Sequence, residues 1–514
     1  MPADSFDAII IGAGQAGTPL SYALAAAGRR VAFIESDFLG GSCINYGCAP
    51  TKALLASAQR AHLVRTAGAL GIEAPEPVVN FGAVIERMHT LRQKSRDSLH
   101  RKITEVHDGI TLIRGRAQFT APHSLQVALV GGGEQHLTAP LIFINTGTCA
   151  AVPDIEGLAD SGYLTSDSLL LNMTEQPEHL IILGGSYIGV EFSQIFCRLG
   201  TRVTIIDKEP RLMSREDPDV SHPLEELLTE AGVELVLNAN TRRVSRGANG
   251  TLTVTMDTPD GERRLRGSHL LVAVGRTPNT RNLGLEHTGI TLDADGYIEV
   301  NEHLQTGTRG VYALGDVKGG PQFTHISYDD YRIVRDALLH NSQRTTADRP
   351  MPYVVFTEPQ LGRIGISKNQ AKEKGIPYRV SRLPASTIGR AVQTGETEGF
   401  VEVLVGDDDR LLGAAVFCEQ GGEIMTMFQL AMAGGLRYQE LENMIIAHPV
   451  WGEVLNNAFQ RLKLGSSWRR WREFIVPVMM RVFNSPGRTV LPASIGAAGG
   501  GSASRHGWSR VTLR

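Results

Sequence analysis

Short apolar runs alternate with glycine-rich turns and helical stretches along most of the chain, and two of these alternations share one layout. After Asp7, the run Ala8-Ile9-Ile10-Ile11 reads as a strand buried on both faces of a parallel sheet. It leads into Gly12-Ala13-Gly14-Gln15-Ala16-Gly17, then an alanine-rich helical stretch to Ala27 that Gly28 stops. Val31-Ala32-Phe33-Ile34 predicts the next strand, closed by Glu35. The same order returns at Leu180-Ile181-Ile182-Leu183, Gly184-Gly185-Ser186-Tyr187-Ile188-Gly189, a helix to Leu199, Gly200, and Val203-Thr204-Ile205-Ile206 closed by Asp207. From first glycine to closing acid the separation is 23 residues in each copy.

Strand, GxGxxG, helix, strand and acid together form the dinucleotide-binding fingerprint. Gly12, Gly14 and Gly17 let backbone approach a pyrophosphate, the helix N-terminus holds its charge, and Glu35 meets ribose hydroxyls. Two copies imply two dinucleotides bound at once. In the second, with Gly184, Gly185 and Gly189, Ser186 takes the middle-glycine position and is expected to crowd the pyrophosphate unless its hydroxyl bonds to it. Looser binding suits a cofactor that leaves after each turnover. Asp207 favours NAD(H), because a carboxylate repels a 2′-phosphate; Lys208 and Arg211 nearby soften that preference and leave NADP(H) admissible.

Between the copies, residues 53–105 carry apolar positions at helical spacing, and 110–145 alternate as strands with a hairpin signal at Gly131-Gly132-Gly133. Leu141-Ile142-Phe143-Ile144 predicts a buried strand ending in a tight turn at Gly147. Further strands reach Val274-Gly275-Arg276-Thr277-Pro278-Asn279, and Val311-Tyr312-Ala313-Leu314-Gly315-Asp316 is another strand-to-turn junction carrying an acid. Asp316 either caps the following helix or meets ligand hydroxyls at a strand's C-terminal end. From about 346 the glycine fingerprint is absent, and the pattern closes on Ala447-His448-Pro449-Val450-Trp451-Gly452-Glu453. A histidine in isolation is ordinarily structural.

Composition sharpens one stretch. Only five cysteines occur, at 43, 48, 149, 197 and 418, too few for a secreted disulfide scaffold. Two of them lie in Cys43-Ile44-Asn45-Tyr46-Gly47-Cys48-Ala49-Pro50-Thr51-Lys52. In a regular helix an i,i+5 pair is roughly 7.5 Å apart along the axis, beyond the ~7 Å of Cα separation that a disulfide spans. Pairing therefore needs a bend, which Gly47 allows. Pro50 suits a first helical turn, so Cys48 falls at a helix N-terminus where a thiolate is favoured, and Lys52 returns to the same face. The spacing is compatible with a redox pair of unequal thiols, a static disulfide or two buried thiols; in so cysteine-poor a chain the redox pair is the stronger expectation.

At 514 residues the chain exceeds one core, and ~150 residues per domain suggests about three. A formal charge of −3 gives no reason to expect nucleic acid. Met1 to Asp7 holds two acids and no basic region, and no run approaches a membrane span, so the cytoplasm is the expected compartment.

Assembled in order, these motifs resemble the class I pyridine nucleotide–disulfide oxidoreductases, the family of lipoamide dehydrogenase, glutathione reductase and mercuric reductase. GGSCINYGCAPTK, GGSYIGVE, VAVGRTPN, YALGDV and AHPVWGE are similar to its motifs, from about Phe6 to Phe459. The resemblance implies an α/β fold with two Rossmann-like domains, for FAD and NAD(P), and a C-terminal α+β dimerisation domain. The implied divisions are 1–150 (FAD, first part), 151–274 (NAD(P)), 275–345 (FAD, second part), 346–464 (dimerisation) and 465–514 (basic extension). It further implies FAD in the first unit with Asp316 against its ribityl or pyrophosphate region, Cys43 as the thiol that meets substrate, and Cys48 against the flavin. Lys52, paired with Glu191, would lie near flavin N5, and Tyr187 would gate the nicotinamide pocket. His448, oriented by Glu453 and contributed by the other subunit of a homodimer, would move protons at Cys43. No resident metal site is implied.

The substrate implied is a small-molecule or protein-bound disulfide or dithiol, as in lipoamide dehydrogenase. A mercuric-reductase-like metal-ion or quinone reductase is the second expectation, and a non-catalytic redox-sensing flavoprotein the third. No cysteine follows Cys418, unlike the C-terminal pair typical of the mercuric branch, and Val450 stands where the family prefers Thr. Residues 465–514 lie outside the resemblance and hold eight arginines against one glutamate, which fits a surface-binding amphipathic helix or, more readily, a disordered extension.

Overall fold

Both strand–glycine–helix alternations fold as parallel βαβ units, and the arrangement of strands around each is the same. The structure is a computed structural model and describes residues 3–464 except His107 and Asp348. The basic extension expected at 465–514 lies outside the described residues.

In the first unit Ala8–Ile11, helix Gly17–Ala26 and Val31–Glu35 follow one another, and the two strands pair in parallel. Ile110–Ala121 lies parallel beyond Val31–Glu35, while Leu141–Ile144 and then Val311–Ala313 lie parallel on the other side of Ala8–Ile11. The antiparallel strands Ser124–Leu129 and Glu134–Thr138, joined across the triple glycine, extend this eight-stranded sheet, which Asp4–Ser5 ends. Ile9, Ile10, Phe33 and Phe143 are fully buried, as expected of strands covered on both faces. Each such side chain is worth about 1.5–3 kcal/mol of burial.

The second unit repeats the order with Glu234–Val236, Arg202–Ile206, His179–Leu183, His269–Val272 and Leu164–Thr165, all parallel. A short ribbon, Thr148–Ala150 against Arg276–Pro278, links the strand ends of the two units. Two further sheets are antiparallel: a three-stranded one of Asn240–Arg246, Leu252–Thr258 and Gly261–Gly267, and a six-stranded one in the order Tyr353–Val355, Gln360–Gly365, Leu411–Cys418, Phe400–Val405, Arg379–Pro384 and Lys463–Leu464. Helix Gly421–Ala433 packs on the six-stranded sheet.

Residues 53–105 are not one helical run. Helix Cys48–Thr66 and helix Phe81–Arg101 are separated by an exposed stretch containing Pro75 and Pro77, which remove backbone donors and disfavour helical φ/ψ in the residues before them. Asn80 restarts the chain as an N-cap, its side chain accepting from Ala83 N at 3.0 Å.

Candidate active site: a thiol pair between two nucleotide turns

Cys43 lies in the short helix Gly41–Asn45 and Cys48 is the first residue of helix Cys48–Thr66. Between them Gly47 turns the chain so tightly that a Cβ there would meet Ser42 O at 2.9 Å and Cys43 Cα at 3.2 Å. This is the bend that the spacing required. Both thiols are free and share a hydrogen bond.

The two thiols are unequal. The hydrogen bond from Cys43 lowers the Cys48 thiol to about 6, helped by Thr324 and the Lys52 charge and opposed by burial. Cys43 is driven the opposite way, first by that same bond to Cys48 and then by burial. Near neutral pH the pair therefore holds one proton, on Cys43, and one negative charge, on Cys48. Thr324 Oγ1 lies 3.4 Å from Cys48 Sγ at the start of helix Thr324–His340.

Lys52 Nζ lies 2.8 Å from Glu191 Oε2 and 4.2 Å from the centroid of Phe356. Glu191 Oε1 accepts from Phe356 N at 3.0 Å, so helix Tyr187–Arg198 and the C-terminal sheet hold the lysine jointly. Tyr187 opens that helix and stands edge-on to Phe323 and Tyr353.

In the first glycine turn, Gly12 has φ +102° and a Cβ there would meet Asn145 O at 2.3 Å; one on Gly17 would meet Gly12 O at 2.4 Å. Asn145, buried at the end of its strand, accepts from Gly17 N at 2.8 Å and donates to Leu314 O at 2.9 Å. Glu35 accepts from Ala13 N at 2.8 Å and Asp37 N at 2.7 Å, and burial raises its pKa despite those bonds. Asp316 is likewise raised by burial, with Thr148 Oγ1 at 3.3 Å from its carboxylate. Thr148 Oγ1 in turn accepts from Arg276 Nε at 2.7 Å.

The second turn places Gly184, Gly185 and Gly189 in the same way, and Asp207 accepts from Gly185 N and from Glu209 N, the latter at 2.9 Å. Ser186 is exposed and makes no capping hydrogen bond.

His448 Nδ1 lies 2.8 Å from Glu453 Oε1, and Glu453 Oε2 accepts from Val450 N at 3.1 Å. The hydrogen bond to His448 is the first cause of a depressed Glu453 pKa. The histidine side chain is 71% exposed beside the fully exposed Ile445. Among the described residues, no hydrogen bond connects this pair to the thiols of its own chain.

The residues fit a flavin dinucleotide. Helix Gly17–Ala26 has no side-chain cap, the side of Gly147 where a Cβ would stand is open, and the half-buried Asp316 carboxylate closes the neighbouring strand end. Thr324 and Asn145 are functional candidates that motif reading passed over. Asn145 had a signal, a polar residue ending an apolar strand; Thr324, 276 positions from Cys48, had none.

The fold and site define a class: the chain belongs to the pyridine nucleotide-disulphide oxidoreductase family, whose model matches residues 6–330 and whose dimerisation domain matches 351–459. It is an FAD-dependent, NAD(P)H-linked flavoprotein disulfide oxidoreductase, and the dimerisation domain supports a homodimer. Among its relatives is the probable pyridine nucleotide-disulfide oxidoreductase RclA of Escherichia coli, 38% identical over 90% of this chain and 100% of RclA. The mercuric reductase of Streptomyces lividans is 34% identical (88% and 96% covered), and the dihydrolipoyl dehydrogenase of Chlamydia muridarum 30% (88% and 95%). A solved Cu(II) complex of RclA, described as an HOCl-induced flavoprotein disulfide reductase, superposes with a TM-score of 0.81 at 37% identity, covering 89% of this chain and 99% of RclA. No helix among the described residues is long and apolar enough to cross a membrane.

Proposed function

We propose that the chain reduces a disulfide substrate through Cys43 and Cys48, with NAD(H) favoured over NADP(H). The observation that carries this reading is the placement of two free thiols on either side of the tight turn at Gly47, with Cys48 opening its helix one turn before the Lys52–Glu191 pair. Bound FAD supplies the passage of an electron pair from the nicotinamide to the sulfur pair. Lys52 and Glu191 set the charge on the Cys48 side.

Cys43 carries its proton, so it needs a base before it attacks. His448 of the partner subunit takes that proton, with Glu453 orienting the ring through Nδ1. The Cys43 thiolate attacks one substrate sulfur, forming a mixed disulfide, and the histidine returns the proton to the departing thiol. The Cys48 thiolate then attacks Cys43 Sγ, forming the Cys43–Cys48 bond and releasing the second substrate sulfur as a thiolate, which takes one proton from solvent. Per turnover, one disulfide, one reduced nicotinamide nucleotide and one proton give two thiols and the oxidised nucleotide.

The strand order supports a flavin domain built from 1–150 and 275–345, a nicotinamide domain at 151–274 and a dimerisation domain at 346–464. A dithiol-dependent reaction suits the reducing cytoplasm.

Cys43→Ser decides the reading. Disulfide turnover should fall at least ~1000-fold while reduced nucleotide still bleaches the flavin. Full disulfide activity in that variant refutes the assignment. A second reading, reduction of two Cu(II) to Cu(I) per nucleotide, is favoured by the Cu(II) complexes of RclA, one of them a cysteine-to-serine variant. Turnover with Cu(II) and none with lipoamide or glutathione disulfide would establish it instead.

A further inference from the structure

The turn that carries Asp316 is closed by one side chain from outside it. Gly315–Lys318 is a single short helical turn between strand Val311–Ala313 and helix Thr324–His340. Asp330, fully buried on that helix, sets one oxygen against both ends of the turn: Oδ2 accepts from Gly315 N at 2.9 Å and lies 3.3 Å from Lys318 Nζ. Its other oxygen, Oδ1, lies 2.7 Å from Arg349 Nη1, on the chain leading into the dimerisation domain. Arg349 also meets Asp329 at 3.6 Å.

The two ends of the turn are held for different reasons. Gly315 has φ +71°, and a Cβ there would meet Asn145 Nδ2 at 2.8 Å and Ser327 Oγ at 3.1 Å, which fixes the backbone entering Asp316. At the other end the Lys318 side chain is only 7% exposed, and its charge acts on Asp316 as well, lowering that pKa while Asp330 raises it. A buried ammonium needs an anion. Lys318 has Asp330; without it, the carboxylate left in its own turn is Asp316.

We propose that Asp330 is a positioning residue for the flavin: by engaging Lys318 and Gly315 N together, it keeps the Asp316 carboxylate free to meet the dinucleotide. The inference rests on the reading of Asp316 as a flavin ligand. Arg349 ties the same carboxylate to the segment between the flavin and dimerisation domains.

Asp330→Asn keeps an acceptor for Gly315 N and removes the charge that engages Lys318. When the flavin-loaded dimer is diluted, free-flavin fluorescence should report a dissociation constant raised roughly ten- to a hundredfold, the size of one hydrogen bond to a charged group. Adding Lys318→Met removes the ammonium that would take Asp316, and Arg349 keeps Asp329 as its partner. The double variant should therefore return to within about fivefold of the wild-type constant. Thermal stability would recover in the double variant even if the pair served folding alone, so the flavin constant is the deciding readout. Wild-type flavin retention in Asp330→Asn, or a double variant no tighter than the single, overturns the proposal. Should Asp330→Asn fail to fold, the double variant decides alone: a constant within about fivefold of wild type supports the proposal, and a larger loss or failure to fold overturns it. Asp316→Ala separates the two levels. If it leaves flavin release unchanged, the ligand reading of Asp316 fails; if it weakens flavin while Asp330→Asn does not, only the positioning role fails.

Discussion

The two glycine turns are the same backbone with different side chains behind it. Gly12 N donates to Ile34 O at 2.8 Å and Gly184 N to Ile206 O at 2.9 Å; Asn145 N donates to Ile11 O at 2.8 Å and Ala273 N to Leu183 O at 2.7 Å. A Cβ on Gly12 would meet Asn145 O at 2.3 Å, and one on Gly184 would meet Ala273 O at 2.4 Å. Asn145 and Ala273 thus hold one structural position. In the first unit the carboxamide of Asn145 pins Gly17 and reaches Leu314; in the second, Ala273 has nothing to reach with.

That difference also explains Ser186. A Cβ on Gly14 would meet Asn145 Oδ1 at 2.9 Å, so the middle position must be glycine where the carboxamide stands. Beside Ala273 the constraint is gone, and a serine fits. A clamped turn suits a resident cofactor and an unclamped one suits a cofactor that exchanges.

The largest test of the contrast is Asn145→Ala. It leaves Gly17 N and Leu314 O without their buried partner, at about 1–3 kcal/mol each, so flavin should be lost on gel filtration, read as the ratio of flavin to protein absorbance. Flavin retained at the wild-type ratio would remove the clamp from the account. Gly189→Ala should strike the other unit: its Cβ would lie 1.9 Å from Gly184 O, an overpacking of about 1–3 kcal/mol, and nucleotide KM should rise about tenfold with flavin content intact.

Where the electrons of both units converge, the lowered Cys48 pKa sets a pH window. The thiolate is present above about 6 and is lost as pH falls through that value, so the long-wavelength absorbance of thiolate beside oxidised flavin should fade with a midpoint near there. Lys52→Met should move the midpoint up, since it removes a charge that favours the thiolate. The smallest effect belongs to Ser186→Gly: the side chain is exposed and unbonded, so nucleotide KM should change by no more than about twofold. A larger change would restore the crowding that the residue pattern predicted.

What was legible in the chain was what is local in it. Each nucleotide turn is written within 23 residues, the thiol pair within six positions, and the His448–Glu453 pair within six more. Periodicity ran through Pro75 and Pro77 because apolar positions recur on both sides of them. Contacts made by the fold alone were not legible: Thr324 reaches Cys48 across 276 positions, and Tyr353 reaches Glu216 across 137. Nothing in the composition around Tyr353 distinguishes it from a strand tyrosine packed for its ring.

His448 stands on open surface, bonded to Glu453 and to neither sulfur of its own chain. On the proposed mechanism, ownership of a defect is therefore exchanged between subunits: damage to the Glu453 carboxylate silences the neighbour's sulfurs and spares the damaged chain's own. On the same mechanism, any dilution that parts the subunits also parts each histidine from the sulfurs it serves.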